Sequence, residues 1–277
     1  MITLYIQDQP VQLRAFHDLS AIASLGRVFR VYDQLTSGLL AFGIQRGDRR
    51  LFVKYAGAPT LNYPSDPKLA VERLRRAAPN YAALRHPALV PLLEVRDGSQ
   101  NCLCIFDWLP GVPLGLMPEH YAAFRQTSLT DRLRMYDAVA DLNARAEAQE
   151  LVIAGLSDTH MMYLPEAGRL VLTNIDDYLP LPSLNVRGRL PGSPFYLPPE
   201  GYHKGAALDE TSSVYALGAL THAFFGDRAN PNRKAWEATD GLFQVAARAT
   251  DANRDRRYQS TAEYLAAWRQ AVLTARF

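Results

Sequence analysis

Apolar residues recur along this chain at two spacings, and each predicts a different kind of element. Short runs at Met161-Met162-Tyr163-Leu164 and Leu170-Val171-Leu172 lie either side of a Gly168-Arg169 turn signal, which predicts a β-hairpin. Near the start, Ile2 to Gln7 predicts a strand and DLSAIASLG a helical turn. Three more strands are predicted at Arg27 to Tyr32, Leu39 to Gln45 and Arg50 to Tyr55, with turns at Thr36-Ser37-Gly38 and Arg46-Gly47-Asp48. The second spacing appears in SLTDRLRMYDAVADLNARAEAQ. Here Leu133, Tyr136, Val139-Ala140 and Leu142-Asn143 follow a 3.6-residue period with a polar opposite face, predicting a long helix capped by Thr130. In PSDPKLAVERLRRAAPNYAAL, Pro79 would remove a backbone bond and clash with the preceding turn at a cost of ~3 kcal/mol, so a helix is predicted to break or begin there. The proline-rich stretch YLPLPSLNVRGRL predicts a short fixed connection.

With 277 residues, 48% of them hydrophobic, the chain can bury a full core. Thirty Lys and Arg against 28 Asp and Glu leave a net charge of +2, which gives no electrostatic case for a nucleic-acid or anionic-membrane partner. Cys102 and Cys104 lie two apart in an apolar run, on one face of a strand, too few for a disulfide framework or a metal knuckle. No apolar run approaches the ~20 residues that span a bilayer, and MITLYIQDQP lacks the basic flank and apolar core of a leader. The expectation is a soluble, cytoplasmic protein, and its abundant Ala and Arg suggest a bacterial source.

The candidate chemistry centres on LVIAGLSDTHMMYLPEAGRLVLTNIDDY, residues 151–178. It resembles the catalytic and metal loops of protein kinases, of the form His-Arg-Asp-Leu-x-x-x-Asn, an apolar pair, a turn, a strand and Asp-Phe-Gly. On that pattern the proton-accepting aspartate becomes Gly155, the magnesium-holding asparagine becomes His160, and the metal-loop aspartate becomes Asn174. Ile153 and Ile175 fall where the family builds its internal spine. A further match is Gly192-Ser193-Pro194-Phe195-Tyr196-Leu197-Pro198-Pro199-Glu200, similar to the family's Gly-Thr-x-x-Tyr-x-Ala-Pro-Glu. The resemblance gives Glu200 a buried partner, Arg257, in DANRDRRYQSTAEYLAAW. Ser213, in LDETSSVYALGALTHAFFG, stands where an aspartate normally anchors the catalytic loop, so that anchor is expected to be lost.

The same resemblance extends to the first part of the chain. Lys54 in LFVKYAG is similar to the phosphate-pairing lysine of the third strand, and Phe52 takes the place of the small alanine under the adenine ring. Counting back from Leu-Arg-His86-Pro87, the glutamate that should pair with Lys54 becomes Ala77; Glu72 is a poor substitute. Gly38 matches the last of three glycines in the phosphate loop, whose bare backbone closes over phosphates, while the first two become Asp33 and Leu35. A carboxylate at Asp33 repels a triphosphate, since like charges ~4 Å apart cost ~1 kcal/mol in water and ~4 kcal/mol at a partly shielded surface. Phe106 falls at the gatekeeper position, and Asp107 to Leu109 at the hinge, whose backbone contacts with adenine depend little on side-chain identity.

The resemblance implies an α+β fold of two lobes in a single kinase-sized unit. Residues 1–26 would be an N-terminal extension, 27–106 a small lobe of antiparallel sheet and one helix, 107–111 the hinge, and 112–277 a larger, mainly helical lobe. Phosphoryl transfer requires magnesium and a positioned hydroxyl, and losing a general base alone costs ~10²–10⁴-fold. The expectation is therefore a catalytically inactive kinase-like protein, without ATP or magnesium as cofactor. It would bind another protein, such as a kinase, a phosphatase or a secretion or defence component. Two alternatives stand beside it. Asp158 and Asp176 could hold a metal in a shifted register and, with Lys54, make an atypical ATP-dependent Ser/Thr kinase or nucleotidyl-handling transferase; or the old adenine cleft could hold a small molecule. His160, with no second His or Cys near it in sequence, reads as a core or cleft histidine.

Overall fold

The structure, a computed structural model, describes residues 1–115, 117–227, 229 and 231–275. It is α+β, with several small antiparallel sheets and, among the described residues, seven α-helices. The chain divides into two compact units, residues 1–85 with 90–110, and residues 86–89 with 111 onward.

The first unit opens on a hairpin of β1 (Ile2–Ile6) and β2 (Gln9–Leu13), followed by a helical turn, α1 (Ser20–Ala23). β2 was not foreseen; it contains Pro10, which is tolerated because in a two-stranded hairpin both strands are edges. Then come β3 (Arg27–Tyr32), β4 (Leu39–Arg46), β5 (Arg49–Ala56), α2 (Pro67–Ala83), β6 (Leu92–Asp97) and β7 (Cys102–Asp107), with the antiparallel order β3-β4-β5-β7-β6. Alternation along the strands separates two faces. Leu40, Phe42 and Ile44 of β4 and Leu51, Val53 and Tyr55 of β5 join Ile6, Val11, Leu13, Leu19, Ile22 and Leu25 in one core. The first 26 residues thus supply much of the apolar cover for one face of the sheet. The helix α2 buries Ala70, Val71, Leu74, Ala77, Ala78 and Tyr81, and the Asp66 side chain caps it by accepting from the Lys68 N–H at 2.9 Å.

Pro79 does not break this helix, contrary to the expectation; it lies inside α2. Its ring sits on the exposed side, where a carbonyl released from the helical ladder can bond to water.

The second unit contains β8 (Val112–Pro113), α3 (Pro118–Arg125), α4 (Leu129–Glu147), β9 (Leu151–Val152), β10 (Met161–Leu164), β11 (Arg169–Leu172), β12 (Leu179–Pro180), β13 (Ser183–Leu184), β14 (Ala207–Leu208), α5 (Glu210–Phe225), α6 (Asp240–Ala249) and α7 (Thr261–Thr274). Ser128, not Thr130, caps α4, its Oγ accepting from the Asp131 N–H at 3.1 Å. The helix begins one residue after Ser128, so Thr130 falls inside the first turn. β10 and β11 form the predicted hairpin around Gly168, with β8 on the outer edge of β10. Helix α5 is buried nearly all round, and Tyr136, Phe224, Phe225 and Trp268 pack their rings together where α4, α5 and α7 meet. No helix among the described residues is long and apolar enough to cross a membrane.

Candidate functional site

In the first unit, strand register puts Phe52 and Lys54 on the face of the sheet opposite the core, beside Phe106 and Cys104 of β7. Lys54 is 6% exposed. Its Nζ donates to the Tyr81 hydroxyl at 2.9 Å and lies 5.2 and 5.4 Å from the ring centres of Tyr81 and Phe106. The electron-rich ring faces offset part of the cost of burying the ammonium. Ala77, at the place of the expected glutamate, is buried, and Glu72 is exposed. Tyr81 was not singled out from the sequence; it lies one turn past Ala77 on the same helix face, and that i, i+4 spacing was the available signal.

Toward the other end of this face, Phe52 meets Tyr32 edge-on at 6.2 Å and Trp108 at 6.4 Å, while Phe29 meets Trp108 at 5.0 Å. These rings close over Gly43, where a Cβ would fall 2.7 Å from Phe29 and 2.9 Å from Trp108. The position under the expected adenine ring is therefore part of an aromatic cluster. In the expected hinge, the Trp108 N–H donates to the Arg50 carbonyl at 3.2 Å, and Asp107 accepts from Arg49 Nε at 2.8 Å. Leu109 is half-buried.

The loop from Asp33 to Gly38 is held from several directions. Asp33 Oδ2 accepts from the Gln12 N–H at 2.7 Å, Asn62 Nδ2 donates to the Gln34 carbonyl at 2.9 Å, and Arg73 of α2 donates to the Ser37 carbonyl. Gly38 has φ +75°, and a Cβ there would lie 2.6 Å from the Tyr63 ring. Only glycine fits that left-handed backbone under the ring without strain.

In the second unit, His160 and Asn174 meet at the base of the β10–β11 hairpin. The Thr173 N–H donates to the His160 carbonyl at 2.7 Å, the Asn174 amide lies 3.1 Å from His160 Nε2, and Asn174 Oδ1 accepts from the Asp176 N–H at 3.0 Å. Asp158, in the single 3₁₀ turn before β10, is 5% exposed and Asp176 is 3% exposed. Gly155 has φ +76° and packs against the backbone of Gly192. Ile153 and Ile175 are both buried. Among the described residues no three His, Cys, Asp or Glu side chains come together as they would around a metal ion.

The expectation that the loop anchor is lost is corrected here. Ser213 Oγ accepts from the buried Ile153 N–H at 3.0 Å, so the shorter hydroxyl still holds that strand end. Ser213→Ala strands the amide in an apolar site and should lower unfolding stability by about 1–3 kcal/mol, read as a fall in the denaturation midpoint with unchanged slope.

Glu200 and Arg257 do pair in the interior. Arg257 Nη1 donates to Glu200 Oε1 at 2.8 Å and Nη2 to Oε2 at 3.2 Å, while the Ser212 hydroxyl donates to Oε1 at 2.8 Å. Burial pushes the Glu200 carboxyl up, but these donors outweigh it and hold the group below the ordinary glutamate value. Compared with protein-family models and with curated proteins, the sequence matches none.

Proposed function

We propose that this chain is a degenerate, bilobal protein-kinase-like protein, a pseudokinase, which works by binding another protein rather than by transferring phosphate. The observation that carries this reading is the tethered loop at Asp33 to Gly38. A phosphate-binding loop must offer its backbone N–H groups to an anion; this one carries a carboxylate, and Gln12, Asn62, Arg73 and Tyr63 hold it in place. Lys54 engaged with Tyr81, and aromatic rings over Gly43, support the same reading. The partner class is a cytoplasmic bacterial signalling, secretion or defence protein, such as an active kinase or a phosphatase.

A second reading has one specific observation in its favour. Two buried carboxylates, Asp158 and Asp176, flank the hairpin where a shifted metal site of an atypical phosphotransferase would lie. Titration with ATP, with and without magnesium, separates the two. A nucleotide bound at ~100 times its Kd adds about 2.7 kcal/mol and raises the melting temperature by several degrees. The expected result is no magnesium-dependent rise and no phosphate incorporation. A rise together with incorporation abolished by Lys54→Ala would overturn the proposal in favour of the enzyme.

A further inference from the structure

On the second unit, the connection after the hairpin is built around one inward-pointing polar residue. Asn185 is fully buried. Its Nδ2 donates to the Gly188 and Glu200 carbonyls, and its Oδ1 accepts from the N–H groups of Arg187 and Gly188, both at 3.1 Å. Backbone bonds tie the same turn to the neighbouring segment, Asn185 N–H to the Ala206 carbonyl at 2.9 Å and Gly205 N–H to the Asn185 carbonyl at 2.8 Å. In an extended chain the residues either side of an inward side chain point outward. Leu184 and Val186 accordingly stand 60% and 71% exposed.

Two more large apolar side chains are exposed on the segments stitched to this turn. Leu190 N–H donates to the Gly201 carbonyl at 2.8 Å and the Tyr202 hydroxyl to the Pro194 carbonyl at 3.4 Å, and both Tyr202 and Phe195 are exposed. Arg187, Arg189, His203 and Lys204 are exposed on the same segments, and Arg187 Nη1 lies 4.0 Å from the Asp177 carboxylate. Between positions 183 and 207 Glu200 is the lone acidic residue, and it is buried against Arg257. The exposed charges that this stretch itself carries are therefore all positive, with Asp177 partly offsetting Arg187 alone, although the whole chain is nearly balanced.

Fixed apolar knobs on segments whose own exposed charges are positive match one kind of occupant. We propose that this surface docks a segment of another protein that presents apolar side chains among carboxylates, which deepens and rests on the reading of the chain as a protein-binding pseudokinase. The apolar pair supplies desolvation energy, and the arginines and lysine steer and orient an acidic strand. Because Asn185 fixes the turn beforehand, little ordering cost falls on this side of the interface.

The full-length chain is titrated with a short fluorescent peptide in which leucine and phenylalanine alternate with glutamate, alongside controls carrying lysine for glutamate or serine for the apolar residues. The proposal expects saturable binding of the first peptide alone, weakening as salt rises. It expects a loss of ~10-fold or more with Leu184→Ser/Val186→Ser, a change of about 1.4 kcal/mol or more. Both residues are exposed, so an unchanged melting temperature for this variant confirms that the fold is intact. Arg187→Glu/Lys204→Glu should reverse the preference toward the lysine peptide. Absence of binding, equal binding of the serine control, or binding indifferent to both variants would overturn the proposal. So would concentration-dependent self-association abolished by Leu184→Ser, which assigns the surface to a second copy. Phosphate incorporation would sink the pseudokinase reading while leaving these peptide results to stand or fall separately.

Discussion

Arg257→Ala should lower the stability of this protein by about 3–5 kcal/mol, because it leaves the Glu200 carboxylate buried and unpaired. The side chain lost is completely inaccessible. Besides its two bonds to Glu200, it donates to the Asp251 carbonyl at 2.8 Å and the Thr211 carbonyl at 3.1 Å, and it lies over the Tyr215 ring at 4.8 Å. It thereby ties the segment before α7 to the start of α5 and to the turn at Glu200. For a folding unit of this size the loss corresponds to a fall of roughly 10 °C in melting temperature, measurable by calorimetry.

The pH dependence of that loss carries a definite sign. In the native chain Glu200 titrates below its unfolded value, so its contribution is fully present above the ordinary glutamate range and is lost as pH falls through the depressed native value. In Arg257→Ala the main donors are gone and burial dominates, so the native carboxyl titrates above its unfolded value. That variant binds a proton on the native side first and gains stability as pH falls toward the glutamate range. The gap between the two proteins should therefore be widest near neutrality and should narrow under mildly acidic conditions. A gap that widens on acidification would show that Glu200 is not the charge left behind.

Much of the secondary structure was legible because local signals agreed with the final packing. β3 to β5 and the β10–β11 hairpin are apolar runs bounded by Gly-containing turns, and α4 shows its buried face in its period. The pairing of Glu200 with Arg257, 57 positions apart, was legible only through the resemblance to kinases, since no local pattern joins them. What could not be read depends on which segments approach one another. Nothing near Lys54 in sequence points to Tyr81, and nothing near Asp33 points to the Gln12 amide. At Ser213 the replacement of the family's aspartate by serine suggests a lost anchor, and nothing in the sequence shows that Ile153 approaches closely enough for the hydroxyl to serve. The same ignorance hid the contribution of Ile6, Val11 and Leu13 to the sheet's core, because amphipathic character in a short strand does not name its partner.

Asn185→Ala should open the turn from Ser183 to Gly188 and raise its susceptibility to trypsin by ~30-fold or more, with a matching loss of about 2 kcal/mol from the stability of the native chain. The amide side chain makes four hydrogen bonds, two donated and two accepted. Each contributes about 0.5–1.5 kcal/mol net, so together they are worth at least about 2 kcal/mol against local opening. A small aliphatic replacement satisfies neither the Arg187 and Gly188 N–H groups nor the Gly188 and Glu200 carbonyls. Arg187 and Arg189 already lie exposed, so cleavage after them is limited by how often the backbone unfolds to enter the protease. When reclosing is fast compared with cleavage, the rate follows the open population and reports the lost free energy directly. Cleavage after Arg187 and Arg189 should rise in step with a fall of several degrees in melting temperature, since the lost bonds hold the native chain against local and global opening alike. An unchanged cleavage pattern would mean that the backbone bonds to Ala206 and Gly205 alone fix the turn, and that Leu184 and Val186 are held outward without the help of Asn185.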